Sequence, residues 1–131
     1  MKGISNAFFV AGVVSVVVGM IWGIQMSATH DHTLSPAHAH LNLLGWVSFA
    51  IFAFYYRLVP EAAEGVLPKL HLALALAGLV AIVPGIVMAI TERGETLAKI
   101  GSVLSLLSMV VFLVVVVRGS LGRSATATAT A

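Results

Sequence analysis

The sequence contains no cysteine among its 131 residues. Disulfide bridges, zinc sites built from thiolates, iron–sulfur clusters and the covalent attachment of c-type haem all need cysteine, so its absence excludes them. A metal or haem bound by this chain must therefore use histidine, methionine, carboxylate or backbone donors.

Charged side chains are also scarce. They make up 9% of the residues, whereas hydrophobic side chains make up 60%. Soluble domains contain about 25% charged residues. A water-facing fold of this size cannot cover so much apolar surface, so the composition predicts an integral membrane protein whose main partner is the lipid bilayer. The net charge is only +2, and the sequence has no basic stripe to neutralise phosphates, which excludes a nucleic-acid partner.

Four apolar runs are long enough to cross a membrane, which takes about 20 helical residues. The runs cover residues 5–26, 37–59, 68–90 and 97–117. We therefore predict an all-α fold, a four-helix integral membrane bundle that forms one domain over residues 1–123. The first run exceeds the apolar core of a signal peptide, about 7–15 residues, and is interpreted as a helix. Residues 124–131, SATATATA, have low complexity and are predicted to be disordered.

The distribution of basic residues predicts the orientation of the four spans. Five basic residues fall on the side of the termini and the middle loop: Lys2, Arg57, Lys69, Arg118 and Arg123. Only Arg93 and Lys99 fall on the other side. Because cytoplasmic loops are enriched in lysine and arginine, this bias predicts cytoplasmic N and C termini in an inner (cytoplasmic) membrane. The loop between the first two helices then faces outward.

That outward loop and the helix start after it are rich in histidine. The segment HDHTLSPAHAHLNLLGW, residues 30–46, contains four of the five histidines: His30, His32, His38 and His40. Helical residues two positions apart point about 200° away from each other, so His38 and His40 lie on different faces. The face of His38 continues through residues suited to helix contacts: Asn42, Gly45, Phe49 and Tyr56. The face of His40 is an apolar wall, directed at lipid or at a flat apolar ligand: Leu44, Val47, Ile51 and Phe54.

Two interpretations of these histidines compete. In one, the imidazoles lie at the membrane interface and bond to water, headgroups and the free N–H groups of the helix start. In the other, which four histidines in so short a segment favour, at least one binds haem or a metal. Haem needs an axial imidazole and an apolar wall. Copper or zinc needs several converging ligands, which His30, His32 and one histidine of the second helix could supply, with Asp31 as a further ligand or an orienting group.

The fifth histidine, His71, opens the third helix at the opposite membrane surface. A span of about 20 residues separates it from the other four by roughly 30 Å, so it cannot share their site within one subunit. An interfacial position is expected for its imidazole.

The second helix resembles a helix of a known superfamily. The segment HLNLLGWVSFAIFAFYYRLVPE, residues 40–61, is similar to the second transmembrane helix of nitric oxide reductase large subunits, which belong to the haem-copper oxidase subunit I superfamily. The matching positions are His40, Asn42, Leu43, Leu44, Trp46, Tyr55, Tyr56, Val59, Pro60 and Glu61. Cytochrome oxidases have a related pattern, which Ala37-His38-Ala39 and Leu58-Val59-Pro60 resemble.

This resemblance implies an axial haem ligand near the outer surface. The nitric oxide reductase pattern points to His40, as part of His-x-Asn with Asn42, and the cytochrome oxidase pattern points to His38. We favour His40 because its motif matches more residues and its face is the apolar wall. The superfamily has about twelve helices and further histidines for a second haem and a metal. A chain with four helices cannot by itself build that binuclear centre, so oxidase activity is not implied.

We therefore predict a small membrane haem b protein for electron transfer, or for gas or redox sensing, in a membrane complex such as one of the respiratory chain. The second axial ligand would come from His30, His32 or a symmetry-related copy, with Met88 and Met109 as weaker candidates. A homo-oligomer or a respiratory-complex partner is expected, and whether the protein is an enzyme stays open. Two alternatives remain: a copper- or zinc-handling assembly protein that uses His30, His32, His38 and His40, and an accessory subunit without a cofactor.

Overall fold

Four long helices form the fold of the computed structural model, which describes residues 1–129. They are α1 (Gly3–Thr29), α2 (Ser35–Leu58), α3 (Leu67–Ile90) and α4 (Thr96–Ala129), and a short 3₁₀ turn (Pro60–Ala63) joins α2 to α3. Every regular element among the described residues is helical, and all four helices include an apolar stretch long enough to span a membrane. The all-α class is confirmed, and so are four helices long and apolar enough to cross a membrane, with ends that differ from the predicted ones by a few residues.

The C-terminal end of α4 differs from the sequence-based prediction. Residues 124–129, predicted to be disordered, continue the helix, whereas residues 130–131 lie outside the described part of the chain. Extension of an existing helix costs far less than nucleation, and alanine has the highest helix propensity. The apolar part of α4 provides the nucleus, and the alternating alanines that follow prolong it.

Small residues allow neighbouring helices to approach closely, which is typical of membrane bundles. Between α1 and α2, Gly19 lies against the side-chain amide of Asn42, and Ser15 lies against Gly45. Between α3 and α4, a Cβ atom added to Gly85 would lie 2.7 Å from the Cα of Ala98. The chain therefore forms two tight helical hairpins, α1–α2 and α3–α4, that pack on each other.

A π-helical segment, Leu41–Ser48, interrupts the regular winding of α2. The hydroxyl of Ser48 donates a hydrogen bond to the carbonyl of Leu43, five residues earlier, at 2.9 Å. Such segments are rare and are frequently found at functional sites. Here the segment starts directly after His40 and covers the part of α2 that packs against the glycines and serine of α1.

The core is densest at the end of the bundle where α1 begins and α2 ends. Phe8, Phe52 and Tyr56 are each at most 3% exposed there. The ring of Phe8 lies 5.3 Å from that of Phe52 and 5.9 Å from that of Tyr56. This aromatic core is at the opposite end from the histidine-rich loop.

Candidate functional site

The loop between α1 and α2 is held by a local hydrogen-bond network around Asp31. The Oδ1 atom of Asp31 accepts hydrogen bonds from the backbone N–H of Thr33 at 3.0 Å and from its hydroxyl at 2.6 Å. The Thr33 hydroxyl, then its backbone N–H, lower the pKa of the Asp31 carboxyl below its usual 3.8. The flanking His30 and His32 are both exposed. Asp31 therefore orders the loop through Thr33.

The pKa of Asp31 tests this arrangement. Because folding lowers the pKa of Asp31, its ionised carboxylate stabilises the folded chain at pH values above the usual pKa. This stabilisation is lost as the pH falls through the pKa of the folded state. We expect Thr33→Val to return the pKa of Asp31 toward 3.8, as measured by NMR titration of the carboxyl carbon. Thr91→Val, in the other loop on this side, is the control and should leave the value unchanged. An equally low pKa in Thr33→Val would contradict the proposed cause.

His38 bonds α2 to α1, and Asn42 packs against the same glycine of α1. The Nε2 atom of His38 lies 3.0 Å from the carbonyl oxygen of Gly19, and its ring meets that of Trp22 edge-on at 6.1 Å. The side-chain amide of Asn42 donates a hydrogen bond to the carbonyl of His38 at 2.9 Å. When Nε2 of His38 donates its hydrogen to Gly19, that nitrogen has no lone pair left for a metal. The face of His38 packs against other helices, as predicted: Gly45, Phe49 and Tyr56 are buried.

His40 has a different environment on the outer side of α2. Its Nδ1 atom lies 2.7 Å from the carbonyl oxygen of Pro36, one helical turn earlier. A carbonyl can only accept, so Nδ1 carries the hydrogen and the lone pair is on Nε2. Among residues 1–129, no side chain or carbonyl pairs with that Nε2 atom. This is the arrangement in which metal-binding histidines are normally held, with one nitrogen bonded to a carbonyl and the other left for the metal.

The apolar wall below His40 is present as predicted. Val47, Ile51 and Phe54 are 43%, 55% and 51% exposed, and Leu44 is half-buried. Leu44 packs partly against the core, and the ring of Phe54 meets that of Phe9 in α1 at 5.9 Å, but much of the wall still faces outward from the bundle. It is available to lipid, to a second copy of the chain, or to a flat apolar group seated beneath the imidazole of His40.

The structure does not gather the histidines into a metal cluster. In the described part of the chain, no three histidine, aspartate or glutamate side chains lie close enough together to hold a metal ion. Of the two weaker candidates for an axial ligand, Met88 is half-buried on α3 and Met109 is exposed on α4. The copper- or zinc-binding arrangement of His30, His32, His38 and His40 is therefore not assembled within one subunit.

The interfacial position predicted for His71 is wrong. His71 is 0% exposed and lies at the centre of the aromatic core. The centroids of three rings, those of Phe8, Phe52 and Phe112, lie 4.8, 4.5 and 5.2 Å from the centroid of the imidazole. The reason is that aromatic side chains of the other three helices enclose the start of α3, where His71 lies.

Tyr56 is the polar partner of the buried histidine. Its hydroxyl lies 2.9 Å from Nδ1 of His71, whereas Nε2 of His71 is buried with no hydrogen-bond partner. A pattern in the sequence does indicate this burial. His71, Ala75, Gly78, Ile82 and Gly85 recur at spacings of four and three and form the buried face of α3.

Comparisons with family models, curated proteins and solved structures return no match to this chain. The similarity of residues 40–61 to haem-copper oxidase subunit I therefore stays a hypothesis.

Proposed function

We propose that the chain is a small membrane haem b protein that transfers electrons, or senses a gas or redox state, with His40 as an axial ligand. The single observation behind this proposal is the hydrogen bond from Nδ1 of His40 to the carbonyl of Pro36 at 2.7 Å. That bond fixes the ring and leaves the Nε2 lone pair free above an exposed apolar wall. Both features are what a haem would require of the protein.

The environments of the two candidate histidines favour His40 over His38. The Nε2 atom of His38 is engaged by the carbonyl of Gly19, and the amide of Asn42 bonds to the backbone of His38. We therefore propose that His38 and Asn42 support the site by fixing α2 on α1. In this role they hold the start of α2 in place while His40 provides the ligand.

The interior of the bundle does not fit a haem. The only fully buried histidine among the described residues is His71, and the rings of Phe8, Phe52 and Phe112 fill the space around it. The outer face of α2 fits better, because the exposed side chains of Val47 and Ile51 provide an apolar surface along the helix from His40. When bound there, haem would supply one-electron redox chemistry.

A site on the outer face of one helix is half of a haem pocket. We propose that the other half, with the second axial ligand, comes from a second copy of the chain or from a respiratory-complex partner. An iron held by two protein ligands has no open position, which favours electron transfer over catalysis. The excess of basic residues near the termini supports cytoplasmic termini, and the site would then lie near the outer surface of the inner membrane.

Absorption spectroscopy tests the proposal. The full chain is expressed with supplied haem, purified in mild detergent, and recorded oxidised and after dithionite reduction. We expect a sharp reduced α-band in the wild-type protein and in His38→Ala. The band should be lost in His40→Ala, because only that variant removes the free Nε2 atom.

Comparison of His38→Ala with His40→Ala separates a wrong cofactor from a wrong ligand. A colourless wild-type protein would overturn the haem proposal. Loss of the band in His38→Ala, with retention in His40→Ala, would overturn the assignment of the ligand while retaining the cofactor. Circular dichroism of both variants establishes that each one is folded before the spectra are compared.

A further inference from the structure

A cavity of about 290 Å³ opens at the end of the bundle opposite the histidine-rich loop. It lies between the start of α1 and the end of α2, and the 3₁₀ turn closes one side. Its lining residues are Met1, Lys2, Ser5, Tyr56, Arg57, Pro60 and Ala63. The volume is at the lower limit of ordinary ligand pockets, so the cavity suits a small group.

Two positive charges flank this cavity without a carboxylate partner. Among residues 1–129, an ion pair joins Lys99 to Glu95 at the start of α4, and neither Lys2 nor Arg57 forms an ion pair. Glu61 lies in the 3₁₀ turn nearby but does not line the cavity. The charged side chains that line the cavity are therefore both positive.

Two uncharged polar side chains, those of Ser5 and Tyr56, also line the cavity. Ser5 is 4% exposed and donates its hydroxyl hydrogen to the carbonyl of Ala53 at 2.8 Å. Tyr56 is 2% exposed, and its hydroxyl meets Nδ1 of His71. Both hydroxyls are thus engaged within the protein, so the two cations are the groups available to an anion in the cavity.

The position of the cavity along the bundle indicates which anion it meets. α1 begins at Gly3 and α2 ends at Leu58, so the cavity lies at the ends of two membrane-spanning segments. This is the depth of the lipid headgroups, where phosphate is the abundant anion. Basic pockets between the ends of membrane helices are known to take anionic headgroups.

We propose that this cavity binds a phosphate group, supplied by the headgroup of an anionic membrane lipid. Arg57, whose planar guanidinium suits phosphate oxygens, is the main contact, and Lys2 adds a second positive charge. The site is independent of the haem proposal, because it uses none of the same residues and lies at the opposite end of the bundle.

Binding of defined ligands to the full chain in mild detergent tests the proposal. Three titrations are compared by the thermal shift of the protein and by native mass spectrometry: short-chain phosphatidylglycerol, short-chain phosphatidylcholine and inorganic phosphate. We expect phosphatidylglycerol to bind, with an affinity about fivefold weaker in Arg57→Gln and in Lys2→Gln. The double variant should bind about 25-fold more weakly. Arg93→Gln, an exposed cation at the other end of the bundle, should bind like the wild type.

The three ligands and the control variant distinguish a specific phosphate site from a general effect of charge. Binding of inorganic phosphate with the same dependence on Arg57 would support the phosphate site and identify its source as soluble. Equal binding of the neutral and anionic lipids in all variants would overturn the proposal. An equal loss in Arg93→Gln and Arg57→Gln would also overturn it, because the effect would then reflect only the overall charge. Lys2 and Arg57 are exposed, so their replacement leaves the packing of the bundle intact.

Discussion

His71→Ala is expected to destabilise the bundle by about 3–5 kcal/mol, the usual cost of deleting a large buried ring. The imidazole is fully buried and contacts aromatic rings from the other three helices, so its removal leaves a cavity where all four helices meet. The deletion also leaves the hydroxyl of Tyr56 without its partner. Reversible unfolding in mixed micelles, followed by circular dichroism, measures the loss.

A double-mutant cycle separates the hydrogen bond from the packing. His71→Leu keeps most of the volume but removes Nδ1, and we expect it to cost about 1–3 kcal/mol because the buried hydroxyl of Tyr56 is orphaned. Adding Tyr56→Phe should restore much of that loss, since both polar partners are then gone. Additive effects of the two substitutions would contradict a direct interaction. A stable His71→Ala variant would contradict the central position of the imidazole.

The sequence predicts the helices of this protein much better than the side-chain contacts between them. Long apolar runs are a property of the local sequence, so the four spans and their approximate ends can be recognised directly. The outward direction of the His40 face is equally local, because it follows from 3.6 residues per turn. These features need no knowledge of how the helices meet.

The position of His71 illustrates what the local pattern leaves open. Pro68 and Lys69 beside it suggest a helix end at the membrane surface, and that much is compatible with its place on α3. Whether the imidazole is exposed depends on Phe8, Phe52 and Phe112, which come from three other helices. The spacing of small residues along α3 points to the buried face, but the partner rings follow only from the packing.

The roles of His38 and His40 likewise depend on long-range contacts. The sequence places them on different faces of α2, which the structure confirms. It does not reveal that Nε2 of His38 meets the carbonyl of Gly19 in α1, nineteen residues away. The bond from His40 to Pro36 lies within a single helical turn, but a hydrogen bond between a histidine side chain and a backbone carbonyl has no sequence signature that would predict it.

Gly85→Leu is expected to separate α3 from α4 and to cost about 3 kcal/mol or more, near the upper end for overpacked cores. A Cβ atom at this position would lie 2.7 Å from the Cα of Ala98 and from the carbonyl carbon of Leu97. These are backbone atoms, so no rotation of a side chain relieves the overlap. The two helices must move apart, and they then lose the close packing that holds membrane helices together.

A matched glycine-to-leucine substitution controls for helix propensity and added apolar volume. Gly122 lies in α4, and among the described residues a Cβ atom there would have no atom of another helix within 4 Å. We expect the unfolding midpoint of Gly122→Leu, measured as the concentration of denaturing detergent, to equal that of the wild type or to lie slightly above it. The reason is that leucine favours a helix over glycine by several tenths of a kcal/mol. The difference in stability between the two variants then measures the cost of disrupting the close contact between α3 and α4. If Gly85→Leu matched Gly122→Leu in stability, the tight contact between α3 and α4 would be refuted.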